Sequence, residues 1–211
     1  MVRRIKKVVK NKPTRKRKKL IVVGTEGDNK SEIMYLRNIE RRQDEYHFIF
    51  DQGNETDPVK IVKNTDKRAR QEEISPQKGD MAVSIFDLDL DNAKAPQLVE
   101  AKALADRKNI KILSSNPCFE LWYLEHFKYT TKPFISSSAL VQELKKYIPG
   151  YTKNSCDFDS LYPKTEKAIV NCQKLDNHHK KNGTAGLSEF NNPRTDFYKL
   201  IEIIIDKKGS D

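Results

Sequence analysis

The sequence predicts an α/β protein: a mainly parallel sheet flanked by helices, with a helical region toward the C-terminal end. Three observations carry this reading. Four short apolar runs, 20–23, 46–50, 81–86 and 110–113, alternate with amphipathic stretches through short connections, the pattern of parallel strands joined by helices. Beyond Pro133 the strand-like runs stop and only helical periodicity remains. Finally, Met81–Asn92 (MAVSIFDLDLDN) leads an apolar run directly into Asp87, Asp89 and Asp91, which puts acids at a strand end, where open α/β sheets hold their ligands. The expected organisation is a disordered basic arm over 1–19, an α/β core over 20–130, and a mainly helical extension over 131–211 packed on that core.

In chain order, Leu20-Ile21-Val22-Val23 is a buried-type strand closed by Gly24-Thr25-Glu26-Gly27. Ser31 to Arg42 repeats Ile33, Leu36 and Ile39 at helical spacing, and Asn29 with Glu32 three residues on has the form of a capping box. Tyr46–Phe50 is the second strand, and Pro58–Glu73 a charged helix with Val59, Val62 and Ala69 facing inward. The strand ending in the aspartates comes third. Ala95–Arg107 is then a helix carrying Leu98, Val99, Ala101 and Leu104, with Pro96 acceptable in its first turn. Ile110–Leu113 is a fourth strand, turned by Ser114–Pro117 into a helix over Cys118–Phe127. Three further helices are expected at Ser138–Tyr147, Tyr162–Lys181 and Thr195–Asp206, with a loop over Gly183–Asn192.

Composition narrows the class. With 36% hydrophobic and 33% charged residues, the 211-residue chain has enough apolar mass for one core under a very polar surface. Cys118, Cys156 and Cys172 show neither pairing nor close spacing, which suits a reducing compartment. No apolar segment follows the basic N-terminus and none reaches membrane-spanning length, so a cytoplasmic protein is expected. The net charge of +10 is local. Residues 1–19 hold eleven Lys and Arg and no acid; removing those eleven from the 40 basic residues leaves 29 against 30 Asp and Glu. Such an arm, Arg15, Lys16, Arg17, Lys18 and Lys19 included, is attracted to polyphosphate; the plainer reading is a solubility tail.

Carboxylates crowded at one strand end repel each other and call for a hard divalent cation with oxygen preference, unless the segment is simply a solvated turn. An EF-hand is excluded by spacing, since Asn92 and Leu98 stand where that loop needs Gly and Glu. Glu26, between Gly24 and Gly27, is a second candidate for metal binding or acid–base work, and otherwise a surface turn residue. Right-handed crossovers would gather Glu26, Asp87, Asp89 and the Asn116–Glu120 turn on one sheet edge. The spacings of a dinucleotide fold and of a P-loop are absent. Cys156, Cys172 and His178-His179 lack the paired short spacing of a zinc site, and the histidines read as structural or exposed. Trp122 reads as core, and Lys153 as a phosphate contact or a solvated loop residue.

These residues resemble a family. Glu-Gly after the first strand and Asp-x-Asp after a later one are similar to the Toprim fold of topoisomerases, primases and nucleases. Glu26-Gly27…Lys30-Ser31-Glu32…Tyr35, Phe86-Asp87-Leu88-Asp89, Ser115–Trp122 followed by His126-Phe127, Gly150-Tyr151-x-Lys153 and Asn192-Pro193-x-Thr195 resemble the RloB-like family, over about residues 20–206. That family includes a component of the AbiL abortive-infection system. The resemblance implies a metal-dependent nuclease acting on DNA or RNA in antiphage defence, commonly beside an ABC-type ATPase. It implies Mg2+ or Mn2+ held by Asp87 and Asp89, and Glu26 in proton transfer or as a shared ligand. Asp91 is a further candidate ligand. Glu120 either extends the acidic site or is an acid favoured by its helix N-terminus. A second reading from a different class is a non-catalytic module of the same fold that binds nucleic acid, a nucleotide signal or the ATPase. Oligomeric state is not legible in the sequence.

Overall fold

The computed structural model describes residues 16–26, 30–51, 53–88, 95–153, 155, 157–184 and 191–205. Arg15, Gly27, Asn29, Asp89, Asp91 and Cys156 lie outside them. Five strands form one sheet in the order β2-β1-β3-β4-β5: β1 Lys19–Thr25, β2 Tyr46–Asp51, β3 Met81–Asp87, β4 Ile110–Asn116 and β5 Arg194–Thr195. The first four are parallel and β5 is antiparallel to β4. The helices are α1 Lys30–Glu40, α2 Pro58–Gln71, α3 Ala95–Lys108, α4 Glu120–Glu125, α5 Ser137–Leu144, α6 Phe158–Leu161, α7 Thr165–Lys181 and α8 Tyr198–Ile205.

A parallel sheet is covered on both faces, so its strands send alternate residues to two cores. Ile21, Val23, Val83, Ile85 and Leu113 meet α1, α4, α5, α7 and α8 on one face. On the other, Val22, Ala82 and Ile110 meet Val59, Val62 and Ala69 of α2 and Ala101 and Ala105 of α3, with Phe86 against Ile61 and Leu98 beside them. Helix α2 begins as its sequence suggests, with Pro58 in the first turn and the Asp57 carboxylate accepting from the Lys60 amide at 3.0 Å. Tyr35 and Phe197 lie within one aromatic cluster with Trp122, so the chain beyond 131 closes the same core as the sheet. No helix among the described residues is long and apolar enough to cross a membrane.

Five expectations are corrected. Ser114, Ser115 and Asn116 continue β4 instead of turning out of it, because β5 pairs with them: Ser115 opposes Thr195 and Asn116 opposes Arg194. The region past Pro133 is therefore not purely helical, and a two-residue strand is too short to leave a periodic signal. Thr195 lies in β5 and α8 starts at Tyr198. The helix expected from Tyr162 begins at Thr165, after the short α6 and a single 3-10 turn at Tyr162–Lys164. Val99 points to solvent, 72% exposed, while Leu98 and Ala101 face inward.

The N-terminal edge of the sheet is pinned by Asp80. Its buried carboxylate takes both nitrogens of the Arg17 fork at 2.8 and 2.9 Å and the amides of Leu20 and Ser75 at 2.8 and 2.9 Å. Lys19 pairs with Glu45, and Lys18 lies 3.6 Å from Asp44. Arg17 and Lys19 thus belong to the folded body, and the arm ends before Arg17.

Two predictions follow from these contacts. A methyl group at Gly24 would overlap Thr65 Oγ1, which is itself held by the Ile61 carbonyl and Ser84 Oγ. Gly24→Ala should lower stability by about 1–3 kcal/mol in urea unfolding, the usual cost of overpacking; an unchanged midpoint would mean that α2 shifts freely. The Arg17 fork, aided by the two amides, holds the Asp80 carboxyl down at about 2, below its unfolded value of 3.8. Its contribution is then complete above about pH 4 and is lost as pH falls toward 2. Asp80→Asn should flatten the acid limb of stability in that window, and an identical limb in the variant would contradict the anchor.

Candidate active site at the carboxyl ends of the strands

The strand order makes a crevice at one place. From β1 the chain crosses to β2 on one side, and from β3 to β4 on the other, with α1 and α3 on opposite faces. The carboxyl ends of β1 and β3 therefore flank a topological switch point, the usual ligand crevice of such sheets. Glu26 directly follows β1 and Asp87 ends β3; Thr25 pairs with Ile85, so the two acids leave neighbouring strands one residue apart in register. Asp87 in turn opposes Ser115 of β4.

Two further carboxylates enter from helices. Glu32, in the first turn of α1, is fully buried, and Glu120, in the first turn of α4, is 1% exposed. Tyr151 Oη donates to Glu120 Oε1 at 2.9 Å, and Ser31 Oγ stands 3.3 Å from the same oxygen and 3.2 Å from the Lys153 carbonyl. Tyr123 fixes this corner by donating to the Ser31 carbonyl at 3.0 Å. Burial pushes the Glu32 carboxyl up to about 8; the charges of Glu120 and Glu26 push the same way, while its own backbone hydrogen bond and the Lys153 ammonium oppose them. Burial also raises the Tyr151 hydroxyl, with Glu120 adding to it. The Cys118 thiol is held well above its ordinary range by burial and by the Glu120 and Asp87 charges, so it is no thiolate nucleophile.

The structure thus gathers Glu26, Asp87, Glu120 and Lys153 from the sequence-based candidates. Asp89 and Asp91 lie outside the described residues. Arg17, Lys18 and Lys19 stand at the opposite edge, by the start of β1, and Lys16 is exposed just before them. Glu32 stands in the sequence as a capping partner and within the Lys30-Ser31-Glu32 motif, without a site role of its own; the signal for that role is its place in the first turn of a helix that follows a strand-end glutamate. The histidines are structural where they are buried. His126 Nδ1 donates to the Trp122 carbonyl at 2.8 Å, and His179 Nε2 to the Pro193 carbonyl at 2.9 Å. Among the described residues no three His, Cys, Asp or Glu side chains close around one point to hold a metal ion. The carboxylates of the cluster outnumber its one lysine and are oxygen donors, the donor type that magnesium or manganese prefers.

The comparison that bears on these residues is a family model described as RloB-like protein, which matches residues 21–204. The chain belongs to the RloB-like family. The matched span takes in every carboxylate of the crevice and leaves out Arg17 to Lys19. No curated protein matches the RloB-like chain significantly.

The crowding of Glu32 has a consequence for pH. Folded, it keeps its proton to about 8; unfolded, only to its ordinary 4.5. The folded state binds more protons in that window, so stability falls as pH rises through it. Glu125, which burial also pushes up to about 8, acts in the same direction. In metal-free buffer the melting temperature should fall between about pH 5 and pH 8, and Glu32→Gln should remove part of that fall. Equal slopes in wild type and variant would mean that Glu32 is ionised in the folded protein.

Proposed function

We propose that this RloB-like chain is a divalent-metal-dependent nuclease, hydrolysing phosphodiester bonds of DNA or RNA in antiphage or abortive-infection defence, together with an ABC-type ATPase. The observation that supports it most is the placement of Glu26, Glu32, Asp87 and Glu120, from two strand ends and two helices, around the switch-point crevice. A module that merely bound phosphate would be opposed by such a cluster. Glu26, Asp87 and Asp89 would hold Mg2+ or Mn2+, with Asp91 as a further ligand; the ion would supply charge neutralisation and an activated water. Glu32, whose proton is held into the neutral range, is suited to exchange a proton with that water or the leaving oxygen. Tyr151 and Ser31 orient Glu120 through its Oε1. Lys153 brings a positive charge to the same corner, the complement a phosphate group needs. Because Asp80, Asp44 and Glu45 already engage Arg17, Lys18 and Lys19, strand binding by the arm falls to Lys16, Arg15 and the residues before them.

The deciding experiment incubates the full chain with mixed DNA and RNA in Mg2+ or Mn2+, with and without its ATPase neighbour. Metal at ~100 times its dissociation constant should stabilise the protein by roughly 2.7 kcal/mol, and Asp87→Asn should blunt that shift. Glu26→Gln should slow cleavage by about 10²–10⁴-fold while folding and nucleic-acid binding persist. Cleavage by Glu26→Gln at the wild-type rate sinks the assigned role. Absence of cleavage under every metal and partner condition gives the site to the non-catalytic reading.

A further inference from the structure

We infer that the open edge of β4 is a docking site for an extended, acidic segment of a partner protein, which joins the sheet as an added strand. The inference concerns a different edge from the carboxylate crevice and does not depend on the nuclease reading. Strand β5 covers only Ser115 and Asn116; the Asp196 amide then donates to the Ser114 carbonyl at 2.8 Å and the chain leaves for α8. Residues 110–113 pair with β3 on one side and with no strand among the described residues on the other. Neighbouring bonds give the direction of their peptide groups. The Ser115 carbonyl accepts from Leu88 on the β3 side and the Ser114 carbonyl from Asp196 on the β5 side. Ile112 and Ile110, in step with Ser114, therefore turn their peptide groups to the open side. Such an edge is a template for another strand.

No helix covers it. Helices α3 and α8 stand on either side and leave a groove of about 590 Å3 above the bare half of the strand. Its apolar surfaces, Ala105, Ile112, Leu200 and Ile203, suit alternate apolar side chains. Its charge selects the rest of the occupant: of its four basic residues, Lys102 pairs with Asp106, and Arg194 and Lys199 pair with Asp176 and Asp196, which leaves the charge of Lys111 to be met. Lys111 lies in the middle of the bare segment, exposed and in no ion pair among the described residues. A second copy docked edge to edge would bring its own Lys111 into the same ladder, and like charges facing across a ladder destabilise it. An acidic strand relieves that charge and satisfies the Ile112 peptide group together.

The test titrates the full chain with a fluorescein-labelled peptide of alternating valine and glutamate, read by anisotropy, against a valine–lysine peptide of equal length. The glutamate peptide should bind saturably and slow hydrogen exchange at the Ile112 amide, and the lysine peptide should not bind. Lys111→Glu, at an exposed position whose reversal leaves the core intact, should weaken binding by about fivefold. Equal binding of both peptides, undiminished affinity in Lys111→Glu, or no saturable binding at millimolar peptide overturns the proposal. A concentration-dependent dimer whose formation protects the Ile112 amide would also overturn it, by assigning the edge to a second copy.

Discussion

Helix α4 is only six residues long, and every one of them is shut away from water. So short a helix leaves most of its backbone groups without intrahelical partners, and it persists only because its side chains are enclosed. Leu121, Trp122, Tyr123 and Leu124 supply that enclosure, and Tyr35 of α1 meets Trp122, Tyr123 and Phe197 around them. The carboxylate edge inherits its rigidity from this packing, because Glu120 starts α4 and Tyr123 and Tyr151 tie the helix to Ser31. At the other end the same enclosure strips groups of charge. Neither oxygen of Glu125 has a hydrogen-bond partner among the described residues and its carboxyl is pushed up to about 8, while burial holds the His126 imidazole down at about 4. A neutral acid and a neutral imidazole are what the apolar interior can hold.

Two opposite solutions to burying a carboxylate stand at opposite ends of β1. Asp80 is ringed by donors and stays ionised far into acid, whereas Glu32 meets other acids and keeps its proton. About seven residues at roughly 3.3 Å each separate those ends, more than twice the ~8 Å over which physiological salt screens charge. Each end therefore obeys its own local balance. One is complete within the chain. The other carries more negative charge than Lys153 can match.

Much of this was legible in the sequence because the strands are buried on both faces and read as plain apolar runs. The Met81–Phe86 run ending in Asp87 and the Gly24–Gly27 turn gave both strand ends of the crevice. What escaped takes its meaning from contacts made far along the chain. Glu32 looks like a capping residue until α4 brings Glu120 against α1, and nothing in Arg194-Thr195 announces a strand before Ser115 and Asn116 come alongside. Arg17 resembles its basic neighbours in the arm; only the distant Asp80 distinguishes it. Val99 sits among apolar residues at helical spacing, yet it falls on the outer face of α3.

The two-residue β5 sets an order of assembly. Ser115 Oγ is 2.8 Å from Thr195 Oγ1, the Asn116 side chain donates to Asn191 at 2.9 Å, and Ser114 Oγ donates to Asp196 at 3.1 Å. The end of β4 and the turn that aims Glu120 are thus braced by residues about eighty positions later in the chain. Contacts so remote in sequence form slowly and only after the intervening chain has collapsed. On a ribosome, where the chain emerges N-terminal end first, strands β1 to β4 can pair while the crevice is still unbraced. The turn that aims Glu120 is thus among the last parts of the fold to be fixed, although its own residues are made well before the chain is finished.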